Sequence, residues 1–149
     1  MKQIYFFSIC LFLSVKIFAD TPTLIKTPSE SFQKIGEFEF RKIAYDYTLG
    51  DDTIKHLNTQ ALIIVFEAAW CSQCRKSLPI YHELAQKYKN KMMFYRINYD
   101  EDRALADSLG VRQLPTVMFF PVSGKPKFMV GYVPKDEFES IIEQTKMVQ

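Results

Sequence analysis

EAAWCSQCRKSLP, residues 67–79, places Cys71 and Cys74 two residues apart directly after an apolar run. Such a pair can be a structural disulfide, a metal clamp or a redox-active dithiol. A bridge that closes so short a loop restricts the unfolded chain little, so it is a poor stabilising device. The two histidines, His56 and His82, lack ligand spacing to the pair, so no metal site is predicted. We therefore expect a redox pair that works without a bound cofactor.

The residues on either side of the pair predict a strand followed by a helix. ALIIVFEA, residues 61–68, is an apolar run rich in β-branched residues, which is typical of a strand buried on both faces. After Cys74 the apolar residues recur at three- and four-residue steps through Tyr88, which predicts a helix that Pro79 interrupts. The cysteines therefore lie at a strand-to-helix junction.

The remaining segments predict an α/β order of elements. Strands are expected at 37–45, 91–100, 116–120 and 127–133, and helices at 51–58, at 101–110 and from about Pro134. Strands that alternate with helices and end in a hairpin indicate a mixed central sheet of about five strands with helices on both faces. In such sheets functional groups gather at the carboxyl ends of the parallel strands.

The position of the pair predicts different roles for its two thiols. A thiol at a helix N-terminus faces unpaired N–H groups and the positive end of the helix dipole, which favour thiolate. Arg75 and Lys76 add positive charge in the first turns of the helix. We expect Cys71 to be the exposed, low-pKa nucleophile, and Cys74 to face inward as the resolving thiol.

The first nineteen residues have the pattern of a secretory signal. Lys2 precedes an apolar run that is short for a membrane span, and Ala19 offers a small residue for cleavage. An uncleaved membrane anchor is the alternative. Residues 20–36 are predicted to form a flexible lead, and residues 37–149 a single domain.

The charge balance changes once the leader is set aside. The chain has 19 basic and 17 acidic residues, and because Lys2 and Lys16 lie in the leader, the mature chain is formally neutral. Of its three cysteines only Cys71 and Cys74 lie beyond residue 19. A neutral chain gives no reason to expect nucleic acid as a partner.

Four features together resemble the thioredoxin family. They are WCSQC at 70–74, Pro79 five residues beyond Cys74, LPT at 114–116 and VGY at 130–132. The resemblance covers roughly residues 37–146 and implies the thioredoxin fold. It also implies that Cys71 attacks a disulfide of a protein substrate and that Cys74 resolves the mixed disulfide.

The resemblance further implies the surroundings of the pair. Pro115 would follow a cis peptide bond and face the cysteines, and the backbone of Leu114 would pair with an extended substrate. Trp70 would shield the surface of the site, and Gly131 would leave room beside it. These four residues are the expected substrate-binding set.

The sequence departs from the family at three places. Ser72 and Gln73 stand between the cysteines where thioredoxins usually have Gly-Pro, and such residues tune the redox potential. Val65 stands where thioredoxins carry a buried acid. Glu67 lies two residues later on the same face of the strand, and is either an acid–base group for the pair or a solvated strand-end carboxylate.

These observations predict an exported, monomeric thiol–disulfide oxidoreductase, periplasmic if the source is Gram-negative. Leu114 before the proline and the absence of an inserted helical domain favour a reductase of protein disulfides. A reductase with one cysteine pair needs a membrane electron donor to recharge it. The alternatives are a disulfide-forming oxidase or isomerase with the same site, and a non-catalytic binding module with the same fold.

Overall fold

A computed structural model describes residues 31–44, 59–122 and 125–144. These residues form five strands and four helices. In chain order they are β1 (Phe32–Lys34), α1 (Glu37–Ile43), β2 (Ala61–Glu67), α2 (Ser72–Lys87), β3 (Met92–Asn98), α3 (Arg103–Ser108), β4 (Thr116–Phe120), β5 (Lys127–Val130) and α4 (Lys135–Gln144).

The strands form one mixed sheet in the order β1-β3-β2-β4-β5. β3 pairs in parallel with both β1 and β2, while β4 runs antiparallel to β2 and to β5. β2 is therefore the central strand, and its seven residues are the apolar run that the sequence marks as buried. The predicted mixed sheet is confirmed.

Helices cover both faces of the sheet, as predicted. Tyr81 of α2 and Phe138 of α4 pack against Val65 and its neighbours on one face. Phe40 of α1 and Leu105 of α3 pack on the other face, in a cluster that also holds both cysteines. The two cysteines thus follow the end of the central strand and pack within this buried cluster.

The predicted strand at 37–45 is wrong, because residues 37–43 form helix α1. The alternating EFEF pattern suggested a strand, yet only Phe40 is buried, while Phe38 is 66% exposed. The charges of this segment suit a helix, with Glu37 and Glu39 in the first turn and basic residues in the last turn. The Glu39 carboxylate also accepts a hydrogen bond from the Gly36 N–H (3.1 Å) at the helix start.

The first strand lies earlier than predicted, inside the segment expected to be a flexible lead. Residues 32–34 pair with β3 in register Phe32 to Phe94, and Phe32 is buried against the ring of Tyr81. Three residues are too few to show an alternating pattern in the sequence. The signal segment 1–19, most of the lead and the helix expected at 51–58 lie outside the described residues.

Within the described part of the chain, no helix has the length and apolar character needed to cross a membrane.

Candidate redox site

The end of β2 and the start of α2 hold the two cysteines together. After Glu67 the chain turns, and the Cys71 N–H donates to the carbonyl of Ala68 (3.1 Å). Cys71 is the N-cap of α2, and Cys74 lies in its first turn. The two sulfur atoms form a disulfide of 2.12 Å, with the Cα atoms 5.2 Å apart.

The first turn of α2 places a hydrogen-bond donor on the sulfur of Cys71. The Cys74 N–H donates to Cys71 Sγ at 3.0 Å. Once the pair is reduced, this N–H and the helix dipole favour a thiolate at Cys71. Arg75 instead donates to the carbonyl of Ala69 (2.6 Å), and Lys76 lies over the ring of Tyr132 (4.1 Å), so neither cation contacts the sulfur.

Cys71 is less exposed than predicted. In the disulfide form it is 6% exposed, against 2% for Cys74, so both are buried although Cys71 is the more accessible. The reason is that Cys71 Sγ turns back over the helix N-terminus to meet Cys74, inside an apolar cluster.

A groove of about 410 Å³ runs along the surface beside the pair, and we call it the active-site groove. Its lining includes Trp70, Gln73, Arg112, Leu114, Val130 and Gly131. Trp70 is 64% exposed, and its indole Nε1 donates to the Asp100 carboxylate at 2.9 Å, which fixes the ring at one end of the groove. Three of the four residues of the expected substrate-binding set, Trp70, Leu114 and Gly131, therefore line one groove.

The opposite wall of the groove is made by two backbone features. The Leu114–Pro115 peptide bond is cis, and the Gly131 N–H donates to the Pro115 carbonyl at 2.8 Å. Gly131 has φ +93°, a conformation that favours glycine, and a Cβ there would lie 3.8 Å from Gln73 Oε1. Gln73 thus faces Gly131 across the groove, while Ser72 is exposed on the outer side of the first turn.

A second cavity, which we call the side pocket, reaches Cys74 from the other side. It measures about 410 Å³, and its lining includes Lys34, Glu67, Cys74, Arg75, Arg96 and Asn98. Glu67 is 18% exposed and accepts a hydrogen bond from Arg96 Nη1 at 2.8 Å. Glu67 is therefore a mostly buried, ion-paired carboxylate and not the solvated strand-end group that the sequence also allowed.

Arg96 is held between the sheet and the side pocket. It pairs in register with Val65, which is fully buried. Its Nε is buried and has no hydrogen-bond partner among the described residues. Its Nη1 donates instead to Glu67, which lies two residues beyond Val65 on β2 and thus nearer the cysteines in sequence.

Polar groups continue below the pair along the inner face of α2. Ser77 is fully buried and its hydroxyl donates to the Gln73 carbonyl at 3.0 Å. Burial raises the pKa of Tyr81 to about 12, a hydrogen bond with Ser77 lowers it, and the nearby charge of Glu67 raises it. Tyr81 is thus held as a neutral phenol at physiological pH.

Sequence reasoning missed two polar residues that hold the site in place, Arg96 and Asp100. Arg96 interrupts the apolar pattern of MMFYRIN, which is a signal that a charged partner lies across the sheet. Asp100 ends the strand expected at 91–100, and its carboxylate accepts a hydrogen bond from the indole of Trp70. No sequence spacing connects Asp100 to Trp70, since the contact depends on the β2–β3 register.

Across residues 31–44, 59–122 and 125–144, no group of three or more His, Cys, Asp or Glu side chains could hold a metal ion. His82 packs edge-on against Phe32, with ring centroids 5.2 Å apart. His56 lies outside these ranges.

A scan against protein families matches the thioredoxin family over residues 47–144. Thioredoxin from Borreliella burgdorferi is 37% identical over 107 residues, which cover 72% of this chain and 91% of that protein. Thioredoxin 1 from Nostoc is 35% identical over 97 residues, covering 63% of this chain and 91% of that protein. Chloroplastic thioredoxin M4 from Arabidopsis thaliana is 37% identical over 83 residues, covering 56% of this chain and 43% of that protein.

Solved structures share the fold. The thioredoxin of Malassezia sympodialis superposes with a TM-score of 0.61 at 23% identity, covering 76% of this chain and 90% of that one. Chloroplastic thioredoxin z superposes with a TM-score of 0.62 at 20% identity, covering 77% of this chain and 94% of that one.

Proposed function

The chain belongs to the thioredoxin family and is a thiol–disulfide oxidoreductase, and from this premise we propose that it reduces disulfides of exported proteins. The observation that carries the proposal is the N-cap position of Cys71, whose Sγ accepts the Cys74 N–H at 3.0 Å beside the open active-site groove. That position stabilises the attacking thiolate and lets a substrate reach it.

The reaction then proceeds in two exchanges. The Cys71 thiolate attacks one sulfur of the substrate disulfide, forming a Cys71–substrate disulfide and releasing the other substrate sulfur as a thiolate. Cys74 loses its proton and attacks Cys71 Sγ, which releases the second substrate thiolate and closes the Cys71–Cys74 disulfide. Two electrons pass to the substrate, and its thiolates take up two protons.

We assign substrate positioning to the walls of the active-site groove. The exposed indole of Trp70 covers one side, and the backbone of Leu114 before Pro115 offers hydrogen bonds to an extended chain. Gly131 and Gln73 bound the opening beside the sulfur atoms. Ser72 and Gln73 in the first turn tune how strongly the thiolate is stabilised.

Glu67 is the proposed proton acceptor for Cys74. The two residues line the same side pocket, and Arg96 holds the carboxylate at its rim. Val65 has no group that can accept a proton. Glu67, by contrast, has a carboxylate that lines the same cavity as the resolving thiol.

The reducing direction is supported by the shape of the chain after the pair. Between Lys87 and Thr116, all of which the structure describes, the chain forms only β3 and the six-residue helix α3. It thus has no inserted helical domain of the kind that dedicated disulfide-forming oxidases carry. Recharging the single Cys71–Cys74 pair requires a dithiol donor, which we place in the membrane.

The reduction potential of the pair tests the direction. Equilibration with glutathione buffers of known ratio, followed by alkylation and mass measurement, should give a value more negative than about −230 mV. A value between about −180 and −120 mV would identify the isomerase or oxidase alternative. If Cys71 fails to react with an alkylating agent after mild reduction, the chain is a binding module and not an enzyme.

The exported location rests on Lys2, the apolar run after it and Ala19. Expression of the full chain in a Gram-negative host, followed by mass measurement of the extracytoplasmic protein, should show a mature N-terminus at Asp20. A membrane-bound chain that retains residue 1 would support the anchored alternative instead.

A further inference from the structure

The edge strand β5 carries exposed apolar side chains that the proposed reaction does not use. Phe128 is 54% exposed and Val130 is 52% exposed. Their partners on β4, Met118 and Thr116, are buried, because β4 lies inside the sheet whereas β5 is its last strand. Two apolar side chains thus stand side by side on one face of a sheet edge.

A groove runs from these side chains to the active site. It measures about 480 Å³ and lies between the loop Leu109–Gln113 and strand β5, with Phe128 and Val130 in its lining. Arg112, Gln113 and Val130 line both this groove and the active-site groove. The two grooves therefore adjoin at these three residues, and we call the pair of grooves the docking channel.

We propose that this channel binds an extended segment of the disulfide-bearing substrate, and that Phe128 selects for an apolar side chain in it. The inference rests on the proposed function, because the occupant is the chain attached to the attacked sulfur. Continuity with the active-site groove favours this occupant, since a segment leaving the sulfur meets Val130 and then Phe128. Large exposed apolar side chains in a row mark interaction sites.

The spacing along β5 sets where the apolar side chain must lie. Phe128 precedes Val130, which lines both grooves, by two residues, which is about 7 Å along a strand and on the same face of it. An extended substrate has the same rise and the same alternation of side chains. Its apolar side chain is therefore expected two or four residues from its reacting cysteine.

Two peptides test this placement on the pre-reduced full chain. Each contains one cysteine joined to thionitrobenzoate, with either Leu or Ser at the second and fourth positions on both sides. The Cys71 thiolate attacks the peptide sulfur, thionitrobenzoate leaves with its bonding electron pair, and Cys74 then frees the peptide thiol. The rate of thionitrobenzoate release should be about five- to tenfold higher for the Leu peptide, as expected for burying one apolar side chain.

Phe128→Thr should remove this preference while leaving the reaction with the small disulfide dithiobis(nitrobenzoate) unchanged, since Thr keeps the strand propensity. Phe38→Thr is the matched control, because Phe38 is also an exposed phenylalanine, at 66%, but lies on α1. The preference of this variant for the Leu peptide should persist. Equal rates for the two peptides with the unmodified chain would overturn the inference without any variant. Retention of the preference in Phe128→Thr would overturn it too.

The outcome for the proposed function is separate. If the unmodified chain reacts with neither peptide nor the small disulfide, the proposed reductase function fails and the docking channel with it. If all three react at rates that do not depend on Leu, the reductase stands and only the role of Phe128 is lost.

Discussion

Glu67 and Arg96 form an ion pair in the side pocket that Cys74 also lines, so their contribution can be tested by one conservative change. Glu67→Gln keeps the size of the side chain and an oxygen for Arg96, but it cannot accept a proton. We expect the attack of Cys74 on the mixed disulfide to slow by about tenfold at pH 7. General bases in closed active sites contribute more than tenfold to the rate. The expected loss is smaller here because water in the side pocket can accept the Cys74 proton in place of Glu67.

Stopped-flow measurement of the decay of a Cys71–peptide disulfide between pH 5 and 9 gives this rate. Glu83→Gln is the control, because Glu83 is an exposed carboxylate whose partner Lys135 lies on α4, and neither residue lines the side pocket. A rate and pH profile in Glu67→Gln that match those of Glu83→Gln would exclude Glu67 as the acid–base group.

The residues at the centre of the site could be found from sequence, whereas their supports could not. Cys71, Cys74, Trp70 and Pro115 lie in short local patterns whose chemistry depends on residue type. Arg96 lies opposite Val65 because β2 and β3 pair in parallel, and the two residues are distant in sequence. The exposure of Cys71 was also misjudged, since the disulfide turns its sulfur inward.

Among the elements, α2 connects the redox pair to the core through the buried side chains on its inner face. Cys74, Ser77 and Tyr81 follow one another along this face. Because the fold raises the pKa of Tyr81 to about 12 from 10.0, it holds the phenol neutral more strongly than the unfolded chain does. The stability from this effect is complete below pH 10 and is lost as the pH rises toward 12.

Tyr81→Phe has no phenol to ionise, so its free energy of unfolding should fall less steeply between pH 10 and 12. Over this pH range, the free energy of unfolding of the variant is expected to fall by less than that of the unmodified protein, with a difference of about 3 kcal/mol at most. Urea unfolding of the oxidised protein at a series of pH values measures it, with each protein compared to its own value at pH 9. Parallel curves for the two proteins would show that burial of Tyr81 does not oppose its ionisation.

Long elements with a clear apolar pattern could be predicted from the sequence, and short elements could not. The six apolar residues of β2 form a continuous run, and the sixteen residues of α2 carry enough helical repeats to identify that helix. β1 has three residues, and α1 has seven with an alternating EFEF that also fits a strand. In both cases packing on the sheet decides the structure, since Phe32 and Phe40 are each buried by residues distant in sequence.

As a unit, the domain links its stability to its redox state. Folding and disulfide closure form a thermodynamic cycle, so a fold that stabilises the disulfide makes the dithiol a better reductant. For a reductase we therefore expect the oxidised chain to be more stable than the reduced chain, by about 2 kcal/mol from loop closure alone.

Urea unfolding with and without excess dithiothreitol measures the difference. The double variant Cys71→Ser, Cys74→Ser is the control and should give the same curve in both conditions. A reduced chain more stable than the oxidised one would indicate a disulfide-forming oxidase, whose strength comes from a stabilised dithiol.

The two cavities near the pair have a consequence for where substrate and proton are bound at the site. The active-site groove opens beside Trp70 and Gly131, while the side pocket opens beside Glu67 and Lys34 and alone is lined by Cys74. A substrate bound in the active-site groove therefore does not fill the cavity that Cys74 lines. Under the proposed mechanism, the proton of Cys74 would pass to Glu67 in the side pocket without crossing the groove that the substrate occupies.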